Sequence, residues 1–308
     1  MRNAFAEEIT QLARERQDVV LLSGDIGNRL FETFKEVAPG RFFNCGVAEA
    51  NMVGVAAGMA ASGLRPVCYT IASFLTYRVM EQIRLDLGYH HQKVILVGTG
   101  AGLSYASLGS THHSVEDMGM LRLIPGLAVL APGDSEELRA ALRAAVDWSG
   151  PVYLRIGKKG EPVVHPSRPK VKIGKALRFR EGKEVWILSL GNMLPVAMEA
   201  AEQLNQKGIC CGVASMGSLK PLDTDLLTAL FDSAKAVATV EEHSVLGGLG
   251  TAVSEWFAAN APASKAKLVT FGTPDEFLHA TTHQPSARGW AGLTTDNIVK
   301  RIALALGN

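Results

Sequence analysis

Short apolar runs alternate with segments of helical period along most of the chain. In the first half, these runs lie at 18–25, 41–50, 65–74, 92–102, 127–134 and 151–158. Runs of this length next to glycine or aspartate are typical of buried strands, and the segments between them are predicted helices. Strands that alternate with helices form βαβ units, so the pattern predicts a mostly parallel sheet.

The pattern breaks once and then restarts. The segment 158–183 carries three prolines and many charges with little helical period, which is typical of a connection between domains. Beyond it, apolar runs again alternate with predicted helices. We therefore predict an α/β protein with two doubly wound domains and mostly parallel central sheets. The first domain is expected at 1–165, the linker at 166–184 and the second domain at 185–308.

Composition and charge exclude several classes of protein. The net charge is +1, with Lys and Arg spread along the chain, so neither nucleic acid nor an anionic membrane is an expected partner. The N-terminal helix lacks the apolar centre of a signal peptide, and no run reaches transmembrane length. The four cysteines show no Cys-x-x-Cys spacing, which predicts a reducing compartment and a cytoplasmic protein.

The familiar nucleotide and metal motifs are missing from the sequence. The run "GTGAGLS" lacks the third glycine of a dinucleotide-binding turn, and there is no Walker A or His-Glu-x-x-His pattern. Four of the eight histidines form two adjacent pairs, His90–His91 and His112–His113, whose members point in different directions, so no metal site is predicted in this chain. The polar loop "SLGSTHHSVED" interrupts an apolar domain, and such loops often carry function.

The segment 46–63, "GVAEANMVGVAAGMAASG", has a single acid, Glu49. An acid in the first turn of a helix gains about 0.3–1 kcal/mol from the helix dipole, which explains its position but not its surroundings. After Asn51 the helix is small or apolar on all sides, and Gly54 and Gly58 allow another backbone to approach. We therefore expect Glu49 in a packed seam between elements or subunits, where it would share a proton with a ligand nitrogen.

Phe74 and Tyr77 lie three residues apart where a predicted strand passes into a helix. Such a pair most often belongs to a hydrophobic core. The alternative is an aromatic wall for a flat heterocycle, and the spacing alone leaves both interpretations open.

Taken in order, the motifs "SGD", "GVAEANMVGVAAGMA", "FLTYRVMEQIR", "STHHSVEDMGMLR", "GPVYLRIGK" and "VEEHSVLGGLG" resemble the C-terminal half of transketolase. The same order recurs in deoxyxylulose-phosphate synthase and in the beta subunits of 2-oxoacid dehydrogenases. The resemblance covers nearly the whole chain. It implies a pyrimidine-binding domain of a thiamine diphosphate enzyme, followed by the C-terminal domain of that family.

The resemblance implies specific roles around the pyrimidine half of thiamine diphosphate. Glu49 would be catalytic, because it shares its proton with a ring nitrogen of the aminopyrimidine. Phe74 and Tyr77 match positions that pack on this ring, and Ile71 stands where transketolases commonly carry another aromatic. Asp25, in "SGD", is assigned to the same cofactor-binding group.

The substrate residues implied by the resemblance depart from ordinary transketolase. His112 matches a substrate-facing catalytic histidine, and Arg155 matches an arginine that binds sugar phosphate. Arg29 stands near a serine position that helps to hold the phosphate. Leu108 replaces an aspartate that contacts the donor, and Gly100 replaces a substrate histidine. These differences imply an altered pocket, with a changed stereochemical preference.

The resemblance also implies a partner. Family members hold the diphosphate and a magnesium ion with Gly-Asp-Gly followed some way on by Asn, and "SGDIGN" does not match that motif in spacing or place. We therefore expect an N-terminal-section transketolase subunit to supply the diphosphate-binding domain and the magnesium site. Two copies of each subunit, α2β2, are the expected assembly.

The function predicted on this basis is transfer of a two-carbon ketol unit from a ketose, expected to be phosphorylated, to an aldehyde. One alternative keeps the cofactor and changes the donor to a 2-oxoacid, as in deoxyxylulose-phosphate synthase or a 2-oxoacid dehydrogenase. Another is a non-catalytic subunit that stabilises its partner, which the changes at Leu108 and Gly100 permit. Retention of Glu49 argues against the last, because a bare interface gains little from a buried acid.

Overall fold

The computed structural model describes residues 1–27 and 29–307. The strands are β1 (Val19–Ser23), β2 (Phe42–Asn44), β3 (Arg65–Ile71), β4 (Ile95–Thr99), β5 (Ala128–Leu130), β6 (Val152–Arg155), β7 (Leu177–Arg180), β8 (Val185–Leu190), β9 (Cys211–Ser215), β10 (Ser218–Lys220), β11 (Ala236–Ser244) and β12 (Lys267–Thr273). The helices are α1 (Arg2–Glu15), α2 (Glu32–Val37), α3 (Glu49–Ala61), α4 (Ala72–Thr76), α5 (Met80–Gln82), α6 (Asp117–Leu121), α7 (Ser135–Asp147), α8 (Leu194–Gln206), α9 (Thr224–Ser233), α10 (Leu249–Asn260), α11 (Gln284–Trp290) and α12 (Thr295–Leu306).

The strands form two sheets. The first has the order β10-β5-β6-β4-β3-β1-β2, and the second has the order β12-β11-β8-β9-β7. All pairings are parallel except the edge pairs β10–β5 and β7–β9. The predicted α/β class, with two mostly parallel central sheets, is confirmed.

Both faces of the first sheet are covered, which explains why its strands are apolar runs rather than alternating sequences. On one face, α1 and α7 pack against β1, β3 and β4, and Phe5 stacks on Tyr69 with ring centroids 5.2 Å apart. On the other face, α3 contributes Met52, Val53 and Ala56. The apolar cluster that contains these residues continues into the second sheet, so one cluster spans both halves while each half also has a cluster of its own.

The connection between the halves differs from the predicted linker. Strand β7 lies inside 166–184 and pairs antiparallel with β9. Strand β10, from the second half, pairs antiparallel with β5 of the first sheet. Both are short edge strands whose partners lie far away in the chain, so local period could not reveal them. The exact domain boundaries stay a prediction.

Several helix boundaries also differ from the predicted ones. The helix expected from Phe74 begins at Ala72, and its last part, Ile83–Tyr89, is π-helical. Helix α7 begins at Ser135 and is capped by Asp134, because the Asp134 carboxylate accepts from the backbone N–H groups of Glu136 and Glu137.

Candidate active site

The predicted site residues of the first domain lie after the carboxyl ends of neighbouring parallel strands. Asp25 follows β1, Phe74 and Tyr77 follow β3, and His112 lies in the loop after β4. Parallel sheets bind ligands at this edge, because all their strand ends and loops converge there.

Glu49 is the first residue of α3 and is 3% exposed. Its Oε2 atom accepts a hydrogen bond from Arg78 Nη1 at 3.3 Å, whereas Oε1 has no hydrogen-bond partner within 1–27 and 29–307. A methyl group added at Gly24 would lie 3.6 Å from Oε1 and 2.9 Å from Thr70 Oγ1, so the backbone after β1 runs close to the carboxylate. Thr70 Oγ1 is also buried without a hydrogen-bond partner in the described chain. The structure therefore leaves polar atoms available beside a buried acid.

A wall of side chains extends from Glu49 towards the loop after β4. The Arg78 guanidinium lies over the Phe74 ring, 4.4 Å from its centroid. The Phe74 ring in turn meets His112 edge to face, with centroids 5.1 Å apart. Burial lowers the pKa of His112, which favours the neutral form of this imidazole. Glu49, Phe74 and His112 are thus brought together, with Arg78 joining the first two.

Tyr77 and Ile71 lie at the margin of this wall. Ile71 is the half-buried last residue of β3, and Tyr77 is 38% exposed. The Tyr77 hydroxyl donates to the carboxylate of Glu116, and burial raises the pKa of Tyr77 well above its usual range. Tyr77 also borders a cavity of about 520 Å³ between the two halves, together with Glu116 and Phe277. Glu49 and His112 do not border that cavity.

Asp25 and Arg29 are exposed in the loop after β1. Asp25 Oδ1 accepts a hydrogen bond from Asn44 Nδ2 at 2.8 Å. Both residues have left-handed backbones, with φ of 57° and 61°, which side-chain-bearing residues seldom adopt. Arg29 borders a separate cavity of about 340 Å³ with Glu32 and Lys35. The structure therefore places Asp25 one residue after the glycine beside Glu49, and Arg29 in a neighbouring hollow.

The β4–α6 loop, residues 100–116, carries the remaining first-domain substrate positions. Leu108 ends a short 3₁₀ turn and is 51% exposed. Gly100 has φ of 70°, and a Cβ atom there would lie 1.7 Å from the ring of Tyr105. Tyr105 therefore occupies the space next to Gly100, and its ring lies between His112, at 6.1 Å, and the Lys158 ammonium, at 4.7 Å.

Arg155, predicted to bind a substrate phosphate, lies elsewhere. Its side chain is 3% exposed and its Nε donates to Asp117 Oδ2 at 2.9 Å. Its Nη2 donates to the backbone carbonyls of Ser114 and Glu242, at 2.7 and 2.9 Å. These contacts join the two halves in the protein interior, and the role of Arg155 in binding a substrate phosphate stays a prediction.

Sequence reasoning missed Arg78, Tyr105 and Thr70. Arg78 had a readable signal, because it follows Phe74 by four residues, the spacing at which side chains meet on a helix. Tyr105 had a weaker one, its place in the polar loop. The unpaired hydroxyl of Thr70 depends on the approach of β1 and had no signal in the sequence.

Metal-ligating side chains do not cluster in the described part of the chain. Within residues 1–27 and 29–307, no group of three or more His, Cys, Asp or Glu side chains is placed to hold a metal ion. All four cysteines are free. Over the same described ranges, no helix has the length and apolarity needed to cross a membrane.

Comparison with known proteins gives matches over nearly the whole chain. The family profile described as the transketolase pyrimidine-binding domain matches residues 1–161, and the transketolase C-terminal domain matches 174–298. The chain is 33% identical over 302 residues to one of the subunits of the apulose-4-phosphate transketolase of Phocaeicola vulgatus, covering 97% of this chain and 95% of that protein.

Two further similarities extend the comparison. A 1-deoxy-D-xylulose-5-phosphate synthase of Chlorobium luteolum is 34% identical over 278 residues, which cover 89% of this chain and 43% of the synthase. The solved structure described as a split gene transketolase, an inactive beta4 tetramer, superposes with a TM-score of 0.90 at 35% identity. That alignment covers 99% of this chain and 97% of the solved chain.

Proposed function

Since this chain belongs to the transketolase family, we propose that it is one subunit of a thiamine diphosphate-dependent transketolase and binds the pyrimidine half of the cofactor. The single observation that supports this most is the buried carboxyl of Glu49, which has one oxygen left over and lies beside an aromatic wall. A flat nitrogen heterocycle fits this arrangement, because its ring can pack on the aromatic wall and its nitrogen can hydrogen-bond with the free carboxyl oxygen. Bound thiamine diphosphate supplies the nucleophilic carbon and the electron sink for making and breaking carbon–carbon bonds next to a carbonyl group.

In this proposal, Glu49 acts as a general acid and base. Its carboxyl would share a proton with a ring nitrogen of the bound pyrimidine, and Phe74, Ile71 and Tyr77 would give the ring apolar and aromatic contacts. Proton transfer by a positioned side chain is efficient when bulk water is excluded. The burial of Glu49 supports that role, since an accessible acid would exchange its proton with solvent.

His112 and its neighbours face the substrate in the same proposal. The neutral imidazole of His112 carries one donor and one acceptor, and its Nδ1 lies 2.9 Å from Thr111 Oγ1. That pairing leaves Nε2 to bind a hydroxyl or carbonyl oxygen of the sugar. In the same proposal, Asp25 contacts the cofactor, Arg29 and Leu108 line the outer part of the substrate pocket, and Arg155 is the candidate for binding a substrate phosphate.

The proposal also includes a partner subunit. On helix α3, Val55 is 40% exposed, and a Cβ atom added at Gly54 or Gly58 would meet no atom within 4 Å. Val47, just before the helix, is 75% exposed. An apolar, small-residue face beside the site is typical of a surface that another chain covers. We propose that a diphosphate-binding subunit, which also holds magnesium, docks here in an α2β2 assembly.

The donor we favour is a phosphorylated ketose, with an aldehyde as acceptor. The relative named for apulose-4-phosphate transketolase supports this class, whereas the similarity to 1-deoxy-D-xylulose-5-phosphate synthase keeps a 2-oxoacid donor as the second candidate.

Reconstitution tests the proposal. The chain is co-expressed with a candidate diphosphate-binding subunit, and ketose donors are screened for product formation with and without thiamine diphosphate. We expect cofactor-dependent ketol transfer by the pair and none by either chain alone. Release of carbon dioxide from pyruvate, without ketol transfer, would favour the second candidate. A pair that forms but catalyses neither reaction would indicate the non-catalytic alternative.

A further inference from the structure

We propose that Glu242, a buried carboxylate on β11 of the second half, is a positioning residue that fixes the β4–α6 loop and with it His112. This inference rests on the proposed function, which places His112 and its loop at the substrate. The contact itself can be tested on the chain alone.

Glu242 is 0% exposed and receives donors from both halves of the chain. Its Oε1 accepts from the backbone N–H of Leu103 at 2.7 Å, and also from Gln284 Nε2 at 2.9 Å and Asn192 Nδ2 at 3.3 Å. Its Oε2 accepts from Arg288 Nε. Only the Leu103 donor lies in the β4–α6 loop, so this one carboxylate connects the loop to three side chains of the second half.

Glu242 is attached where the two ends of the loop meet, at residues 102–103 and 114–115, which we call the neck. Gly102 and Ser114 exchange two backbone hydrogen bonds, at 2.9 and 3.0 Å, which bring the two ends of the loop together. The second strand of this neck is held as well, because Ser244 N–H donates to the Val115 carbonyl at 2.6 Å. Strand β11 therefore hydrogen-bonds to both ends of the loop at the neck.

Gly102 shows how closely the two halves approach. Its φ is 65°, and a Cβ atom there would lie 2.5 Å from Glu242 Oε1 and 2.8 Å from the Glu242 carbonyl oxygen. No side chain fits at this position without moving Glu242 or the neck. The backbone of the first half therefore lies in direct contact with this carboxylate.

The part of the loop beyond the neck carries Tyr105, Leu108 and His112. His112 must keep its place against Phe74, 5.1 Å between centroids, for the wall described above to exist. A shift of about 1 Å in a positioned group is enough to impair catalysis substantially. The loop beyond the neck is also tied to the second half, because the Ala106 carbonyl accepts from Thr282 N–H at 3.2 Å and Ser110 Oγ donates to the Leu278 carbonyl at 2.9 Å. We therefore expect release of the neck to shift His112 against Phe74 rather than to free the whole loop.

Glu241 provides a matched control. It is the preceding residue, is 1% exposed, and accepts from two backbone N–H groups, Leu249 and Gly250, each at 2.7 Å. Both of those donors lie at the start of α10, within the second half. Removal of Glu241 should loosen α10 and leave the β4–α6 loop in place.

The first measurement is hydrogen–deuterium exchange on the isolated full chain, for Glu242→Ala, Glu242→Gln and Glu241→Ala. We expect Glu242→Ala to speed exchange of amides in 103–113 by roughly 10- to 100-fold, the range for a lost hydrogen bond to a charged group. Glu242→Gln should give a smaller increase, because it keeps one acceptor oxygen, and it replaces the alanine variant if that variant does not fold. Glu241→Ala should change α10 only. Unchanged exchange in 103–113 for both Glu242 variants would overturn the inference.

The second measurement uses the enzyme reconstituted with its partner. If Glu242 positions the loop, Glu242→Gln should raise KM for the sugar by roughly tenfold more than Glu241→Gln does at equal folded fraction. A loss of kcat in proportion to lost folded protein, with KM unchanged, would indicate a purely structural residue and contradict the positioning role. If the pair shows no ketol transfer at all, the proposed function fails, and the exchange measurement still decides whether Glu242 holds the loop.

Discussion

Glu49→Gln should lower kcat of the reconstituted enzyme by about 10²- to 10⁴-fold, the contribution typical of a positioned general acid or base. Glutamine has nearly the shape of glutamate and can still accept from Arg78, but its amide N–H protons are not acidic, so it cannot transfer a proton to or from a ring nitrogen. Steady-state kinetics at saturating sugar and cofactor measure the effect.

A control separates loss of chemistry from loss of helix stability. Glu136 is also an acid in the first turn of a helix, α7, and lies outside the site. Glu136→Gln should cost the same helix-dipole contribution, about 0.3–1 kcal/mol, and leave kcat unchanged. Near-full turnover by Glu49→Gln would contradict the catalytic assignment, provided that the variant assembles with its partner.

Arg155→Ala should lower the free energy of unfolding by about 3–5 kcal/mol, because it leaves Asp117 buried without its counter-charge. Asp117 is 0% exposed. Burial raises the pKa of this carboxyl, but the charge of Arg155 and the hydrogen bonds from Arg155 and Tyr153 outweigh it and bring the pKa below its usual value. Arg155 is therefore the main positive charge that keeps Asp117 ionised in the interior. Denaturant unfolding of the isolated chain measures the loss.

The matched comparison is an exposed ion pair. Lys35 and Glu32 lie 2.9 Å apart with side chains 43% and 56% exposed, so Lys35→Ala should change stability by at most about 1 kcal/mol. The result also decides the role of Arg155. If Arg155→Ala keeps wild-type stability and weakens only phosphorylated substrates, the buried-pair account is wrong and the substrate role predicted from the sequence is supported.

The regular part of the fold could be predicted because its signal is local. Strands such as β3 and β8 are continuous apolar runs that end in turns, and a buried parallel strand produces that sequence whatever its partners. Strands β7 and β10 could not be predicted in the same way. Each is three or four residues long and exists because a distant edge offers it hydrogen bonds.

The same distinction applies to the site. Glu49 stands out because one acid in an apolar helix is unusual within its own segment, and Phe74 and Tyr77 because of their spacing. The buried contacts of Arg155 could not be predicted in this way. An arginine at a strand end is chemically suited to a phosphate, and only the fold shows that Asp117, 38 residues earlier in the chain, already binds it. Pairings of this kind depend on tertiary structure, which residue type does not reveal.

A structure of this chain with its partner and thiamine diphosphate is the most direct test of the central claim. We predict that a Glu49 carboxylate oxygen lies within hydrogen-bond distance of a pyrimidine ring nitrogen, about 2.6–3.2 Å, and that the diphosphate is held by the partner. A Glu49 side chain that points into solvent, or a pyrimidine ring bound far from it, would contradict the account.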